Sequence, residues 1–244
     1  MHTSRTNHFF SVASRLTPII MATQEETSLL NSIDFSAIEE MDPSLADGHR
    51  ILYDREVPFE LRIQDPSAGP QEVGTLESIR VKVMLLGEDS NPQHLKLELT
   101  SENDLFFHYL HTVDESSFRL MQDAQKLMVE FAEYPTILVR MLNSCIKEPH
   151  TFLAVFIMRR DGQARLDFIQ NIEYKFIELL SCDFQAATEE LVRQQITYRY
   201  TAAKHKLALL QARLQDLHAL VKVKNPSLLL QMQKAKRSSG RQIA

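Results

Sequence analysis

The feature that most limits what this chain can fold into is a change of period. From Ile51 runs of apolar residues at every second position begin, and beyond Phe184 apolar residues recur in a 4-3 rhythm. The first rhythm makes strands with one buried face and the second makes a helix with one apolar seam, so a β-rich head precedes a helical tail. Val57, Phe59, Leu61 and Ile63 alternate, as do Ile79, Val81, Val83 and Leu85, and then Leu95, Leu97 and Leu99. Residues 66–74 and 87–92 read as the connecting turns. Three further strands are expected over residues 151–158, 164–170 and 174–184, with Asp161-Gly162 joining the first two as a type I′ hairpin signal.

Between the two groups of strands lies residues 127–145, LMVEFAEYPTILVRMLNSC, which reads as a strand, a break and an amphipathic helix. Leu127, Val129 and Phe131 alternate onto one face, and Pro135 sits where a first helical turn tolerates a missing N–H. Ile137, Leu138, Met141, Leu142 and Cys145 follow at helical spacing. A helix is also expected over residues 115–122 with Asp114 as its N-cap. Seven strands with two helices inserted between the third and fifth give an α+β fold class, a small β-barrel or sandwich of about 135 residues.

Residue 188 onward carries the signals of a long helix. Thr188 is placed to cap, Glu189 and Glu190 occupy the first turn, and Lys222 and Lys224 precede Asn225-Pro226. Ile196, Tyr200, Ala203, Leu207, Leu210, Leu214, Leu217 and Val221 fall on alternating d and a positions, a parallel coiled-coil seam of under four heptads. The seam is weak. Across a parallel dimer Arg199 would face Lys204, Lys206 would face Gln211 and Arg213 would face His218, so no flanking pair attracts. A helix packed back on its own head is the plainer alternative. The expected division is therefore a leader over 1–48, a head over 49–185, a coil over 186–225 and a basic tail over 226–244.

Charge separates along the same lines. From Val192 onward there are eleven Lys and Arg against the single acid Asp216, a segment of +10 in a chain of −5 overall. Such a tail attracts polyanions, and nucleic acid and acidic tubulin tails are both of that kind. The leader is acidic from Met21 to Gly48, and its pattern at Leu29, Ile33, Ala37 and Met41 is that of a short docking helix, although its composition favours an unstructured segment. The first twenty residues contain Arg5 and Arg15 and no acid, as organelle-targeting leaders do, but MATQEET at Met21 also resembles a second translation start. No apolar run approaches the ~20 residues of a membrane span.

The chain offers little reactive chemistry. It contains no CxxC, no phosphate-cradling loop and no GxSxG, so no enzyme activity and no cofactor is implied. Cys145 and Cys182 lie in apolar-periodic segments and read as buried reduced thiols. Cys145 with His150, near Asp114 or Glu148, is a poor nucleophile–base pair for that reason. His108 and His111, three apart, would share a helical face but lack the further ligands a metal needs. The hairpin tip 171–174 differs, because the large side chains of Ile172 and Tyr174 on a tight turn are costly to leave in water.

The order of these segments resembles the centriolar cartwheel family, spindle assembly abnormal protein six. The resemblance is carried by residues 127–145, with Leu127, Val129, Phe131, Pro135, Leu138 and Leu142 as the motif core; by LTSENDLFFHYLHTVDESSFRLM, residues 99–121; and by LDFIQNIEYKFIELL, residues 166–180. Departures are Glu130 for Asp, Tyr134 for Phe, Leu105 for Pro and the lack of an NPF at the hairpin tip. The family implies a barrel head with a helical insertion, a coiled-coil homodimer and a higher oligomer built through the heads. Through Leu166 and Lys175, Tyr174 falls on the family's tip phenylalanine, which enters a pocket on the next head, with Ile172 in support. The resemblance places such a chain at the cytoskeleton, in centrioles, basal bodies, flagellar bases or a parasite's apical complex, and its short coil is similar to the family's "like" branch. Partners would be further copies of the chain, with tubulin or other cytoskeletal proteins outside it. A DNA end-joining scaffold has the same head-plus-coil plan and is the alternative, its Lys234–Arg237 run on phosphates.

Overall fold

The computed structural model describes residues 35–64, 74–224 and 227. In chain order the strands are β1 (Arg50–Gln64), β2 (Thr75–Glu88), β3 (Asn91–Ser101), β4 (His108–Asp114), β5 (Phe152–Arg159), β6 (Gln163–Ile172) and β7 (Lys175–Ala186). They close into a barrel in the order β1-β2-β3-β4-β7-β6-β5. Only the β1–β5 pair is parallel. Helices α2 (Glu115–Gln125) and α3 (Tyr134–Lys147) form the insertion between β4 and β5. Val57, Phe59, Val81, Leu97, Leu99 and Phe156 are fully buried inside the barrel, as the alternation requires. Ile63 leaves that pattern and is exposed, since it lies near the end of β1.

Three expectations need correction. The fourth strand is His108–Asp114 and not residues 127–131. Leu127, Val129 and Phe131 do point toward the core, while Met128 between them is 95% exposed, yet their backbone belongs to no strand. The reason is that β4 pairs with β7 at one end, and farther along β7 the Gln125 side chain takes the Ser181 N–H and carbonyl that a further strand would have paired. The segment instead leaves α2 through left-handed Lys126 (φ 58°), and the Gln122 side chain donates to the Val129 carbonyl at 2.7 Å. Second, His108 and His111 lie on opposite faces of a strand, so they share no surface. Third, the 161–162 hairpin is not type I′, because Gly162 (φ 83°) alone has positive φ there. The Gly162 N–H bonds the Arg159 carbonyl, giving a turn followed by a left-handed glycine.

Other signals act as expected. Asp114 caps α2, accepting from the Ser117 N–H at 2.7 Å while the Ser117 hydroxyl accepts from the Asp114 N–H. Pro135 lies in the first turn of α3, which buries Leu138, Leu142 and Cys145. Thr188 accepts from the Leu191 N–H at the start of the last helix, α4 (Glu189–Lys224).

Two compact units divide the described residues, one over 41–201 and the other joining those up to Glu40 with those from Ala202 onward. In the second unit a single turn, α1 (Ser36–Glu39), buries Ile38, and Lys206 lies 3.7 Å from Glu39 and 5.4 Å from the centre of the Phe35 ring. In the first, residues Pro43–Gly48 form a 3-10 turn. Ser36–Glu39 and Pro43–Gly48, expected within an unstructured leader, thus form short turns. Residues 1–34 of the expected leader and the basic tail, Lys234–Arg237 included, lie outside the described residues, as does most of the 66–74 turn.

Candidate assembly interfaces

The β6–β7 hairpin ends in Glu173 and Tyr174, with Ile172 paired to Lys175 and Asn171 to Phe176. Tyr174 is 87% exposed, Phe176 is 63% exposed and Ile172 is half-buried. Residues directly opposite in an antiparallel pair point to the same side. Phe176 and Asn171 therefore share one face of the hairpin, and Ile172 and Lys175 share the other.

Phe176 escaped the sequence reading because of a β-bulge. Counting back in twos from Phe184 through Cys182 and Leu180 would put Glu178 and Phe176 inside the barrel. A register shift between Phe168 and Ile169 reverses the phase: Leu179 and Ile177 become half-buried, and Glu178 and Phe176 turn outward. The tip thus presents two aromatic rings rather than one.

The last helix carries the second apolar surface. Tyr200, Leu207, Leu210 and Leu214 are exposed, as is Ala203, while Ile196, Leu217 and Val221 are half-buried. Five of the eight expected seam residues are therefore uncovered in a single chain. Arg199, one of the expected repulsive flanks, is bonded to Glu102 Oε1 at 2.9 Å and to the Ser101 carbonyl at 3.0 Å within the head unit. Elsewhere Arg193 and Gln194 pair with Glu189 and Glu190 one turn earlier.

Both cysteines, the candidate nucleophile Cys145 among them, are free, buried thiols. Burial pushes the Cys145 and Cys182 thiols up to about 12, so both stay protonated, and His150 is exposed. Burial lowers the His111 imidazole, which bonds the Asp183 carbonyl through Nδ1 at 2.6 Å. Among the described residues no group of three or more His, Cys, Asp or Glu is arranged to hold a metal, and no helix is long and apolar enough to cross a membrane.

Residues 51–184 match the family described as the centriolar protein SAS N-terminal domain. The chain belongs to this family. Curated relatives are the spindle assembly abnormal protein 6 homolog of Gallus gallus, 33% identical over 85 residues, and that of Xenopus laevis, 29% identical over 134 residues. The matches cover 34% and 49% of this chain but only 13% and 20% of those proteins. Among solved structures, an N-terminal fragment of Drosophila melanogaster Sas-6 dimerised via its coiled-coil domain superposes with a TM-score of 0.62, at 18% identity over 83% of this chain and 98% of that one. A Leishmania SAS-6 fragment containing parts of its coiled coil gives 0.61 at 16% identity, over 74% and 99%. At such identities these neighbours establish the fold, a closed barrel head followed by a long helix, and the family match establishes membership.

Proposed function

We propose that this protein is a self-assembling, non-enzymatic scaffold of the centriole or basal body, or of a related microtubule-based structure in the cytoplasm. Its family and the names of its relatives support that setting. Helix α4 pairs in parallel with a second copy along the seam from Ile196 to Val221. The head makes a second, separate contact through Tyr174 and Phe176. A chain with two different self-contacts does not stop at a dimer, because each contact leaves the other free to recruit a further copy. Linking two heads through the coil also raises their effective concentration, so each head contact can be weak. Tubulin or another acidic cytoskeletal protein is the outside partner that the cationic helix suits.

The observation that carries this reading is the aromatic tip. Two rings on one short hairpin expose apolar area that water penalises and that a partner surface would cover, the usual form of an interface hot spot. The test is sedimentation of the full chain carrying Leu210→Glu and Leu214→Glu, which leaves the heads as the route to association. Concentration-dependent growth up to millimolar protein, abolished by adding Tyr174→Glu, is expected. A strictly monomeric double variant overturns the head contact.

A further inference from the structure

Six polar side chains outside the barrel wall are nonetheless buried: Asp42, Ser44, Lys82, Glu98, His108 and Gln195. Lys82 and Glu98 alternate with core residues such as Val81 and Leu97, so they point away from the barrel interior. They are covered from outside by the Pro43–Gly48 turn and by the second turn of α4. Polar groups so placed cost stability unless they bond one another; five of the six do, while the His108 ring nitrogens have no hydrogen-bond partner and face Glu98 at 3.8 Å.

The bonds run in one direction. Gln195 Nε2 donates to Asp42 Oδ1 at 3.2 Å and to the Ser44 hydroxyl oxygen. Having accepted from Gln195, the Ser44 hydroxyl donates to Glu98 Oε2 at 2.7 Å. The Lys82 ammonium contacts Asp42 and lies 3.8 Å from Glu98 Oε1, and the His108 ring lies 3.8 Å from Glu98 Oε2. Burial raises both carboxyls, but Lys82 for Asp42, and His108 with Lys82 for Glu98, outweigh it and hold each below the usual carboxylate range. Both are therefore ionised acceptors at neutral pH. One turn beyond Gln195, Arg199 bonds the Ser101 carbonyl and Glu102.

Gln195 and Arg199 are four apart and so lie on one helical face; Ile196 and Tyr200, the first two seam residues, each follow by one residue and lie about 100° around the helix. We infer that Gln195 and Arg199 are positioning residues that fix the rotation of the first turns of α4 on the head, and with it the direction in which Ile196 and Tyr200, the first two seam residues, face. The Asp42–Lys82–Glu98 cluster is the anchor they grip. A purely apolar contact would permit small rotations, whereas a hydrogen bond fails when its donor turns away. This inference rests on α4 being the coil of the proposed scaffold.

The experiment measures a distance within one chain. Spin labels at Arg119→Cys and Thr197→Cys, both exposed, report the seating of α4 on the head, and the native thiols are buried. Dilution with unlabelled chain removes signals between copies. Gln195→Met removes the donors at similar size, and Gln195→Glu sets another carboxylate beside Asp42. Each is expected to widen the distance distribution at least twofold, with the melting midpoint of the barrel and the mass of the coil dimer unchanged. Arg199→Ala should widen it by a smaller factor. Wild-type distributions in both Gln195 variants overturn the inference. If Gln195→Glu unfolds the head, Gln195→Met decides alone. Loss of the head-to-head contact leaves this intramolecular distance untouched, so the inference and the scaffold reading fail separately.

Discussion

Asn171 and Phe176 stand opposite each other across the β6–β7 hairpin, which turns Phe176 to the face that Ile172 does not share. If the tip is the head contact, its two rings should not be equivalent to its aliphatic neighbour. Phe176→Ala is expected to weaken head association by about 1–2 kcal/mol, roughly five- to thirtyfold, and Ile172→Ala by less than about threefold. Tyr174→Phe should be neutral or strengthen it, since a hydroxyl entering an apolar pocket needs a partner. Sedimentation equilibrium in the coil-broken background ranks the three. A larger loss from Ile172→Ala than from Phe176→Ala contradicts the register argument.

The barrel closes by an unusual substitute for a strand ladder. The β4–β7 ladder holds two residue pairs, Tyr109↔Ala186 and Leu110↔Gln185; farther along β7, the Gln125 side-chain amide donates to the Ser181 carbonyl at 2.7 Å and accepts from its N–H at 2.8 Å. Gln125 thus bonds as a backbone amide would. Gln125→Ala leaves both Ser181 groups unbonded and should cost about 1–3 kcal/mol. Urea unfolding reads it as a lower midpoint with the same slope. A midpoint equal to wild type would show that solvent serves Ser181 equally well.

Acid should loosen the first turns of α4, residues 189–201, from the Asp42–Glu98 cluster. Asp42 and Glu98 have folded values below their ordinary ones of about 3.9 and 4.3, so their contribution is complete above those values and is lost as pH falls through the lowered ones. Hydrogen exchange over residues 189–201 should stay constant from pH 7 to about 4.5, after correction for the intrinsic rate, and speed up below. Glu98→Gln should blunt that fall. A protection profile that is flat to pH 3 in wild type rules out this anchor.

What the sequence made legible was decided by local pattern. The alternations at Val57–Leu61, Val81–Leu85 and Leu95–Leu99 needed only one buried face, and each became a strand; Asp114, Pro135 and Thr188 act within a turn of themselves and did as their chemistry dictates. The failures all concern partners. Leu127–Phe131 has a strand's alternation without a strand's neighbour, and β4 hides because His111 occupies a core-facing position that an apolar residue would have marked. Phe176 turned on the bulge, which no periodicity announces. The Gln195 anchor joins residues more than 150 positions apart, and nothing in a polar side chain's own vicinity reveals such a bond.

The coil provides the last prediction, because its seam and its flanks disagree. Leu207, Leu210 and Leu214 lie uncovered in the single chain, which favours pairing, but Ala203 adds little apolar area and the flanking residues of a parallel dimer do not attract. Arg199 is held by Glu102 and Lys206 by Glu39, so two of the flanking cations are partly neutralised within their own chain. Exposed pairs of that kind contribute at most about 1 kcal/mol. Dimerisation is therefore expected in the micromolar range or weaker, about −8 kcal/mol or less in magnitude. Leu210→Glu with Leu214→Glu should give monomers with head β-structure intact by circular dichroism, and Ala203→Leu should tighten the dimer by about 1 kcal/mol or more by filling the gap in the seam. An unchanged dimer mass in the double Glu variant would move the dimer contact off this helix.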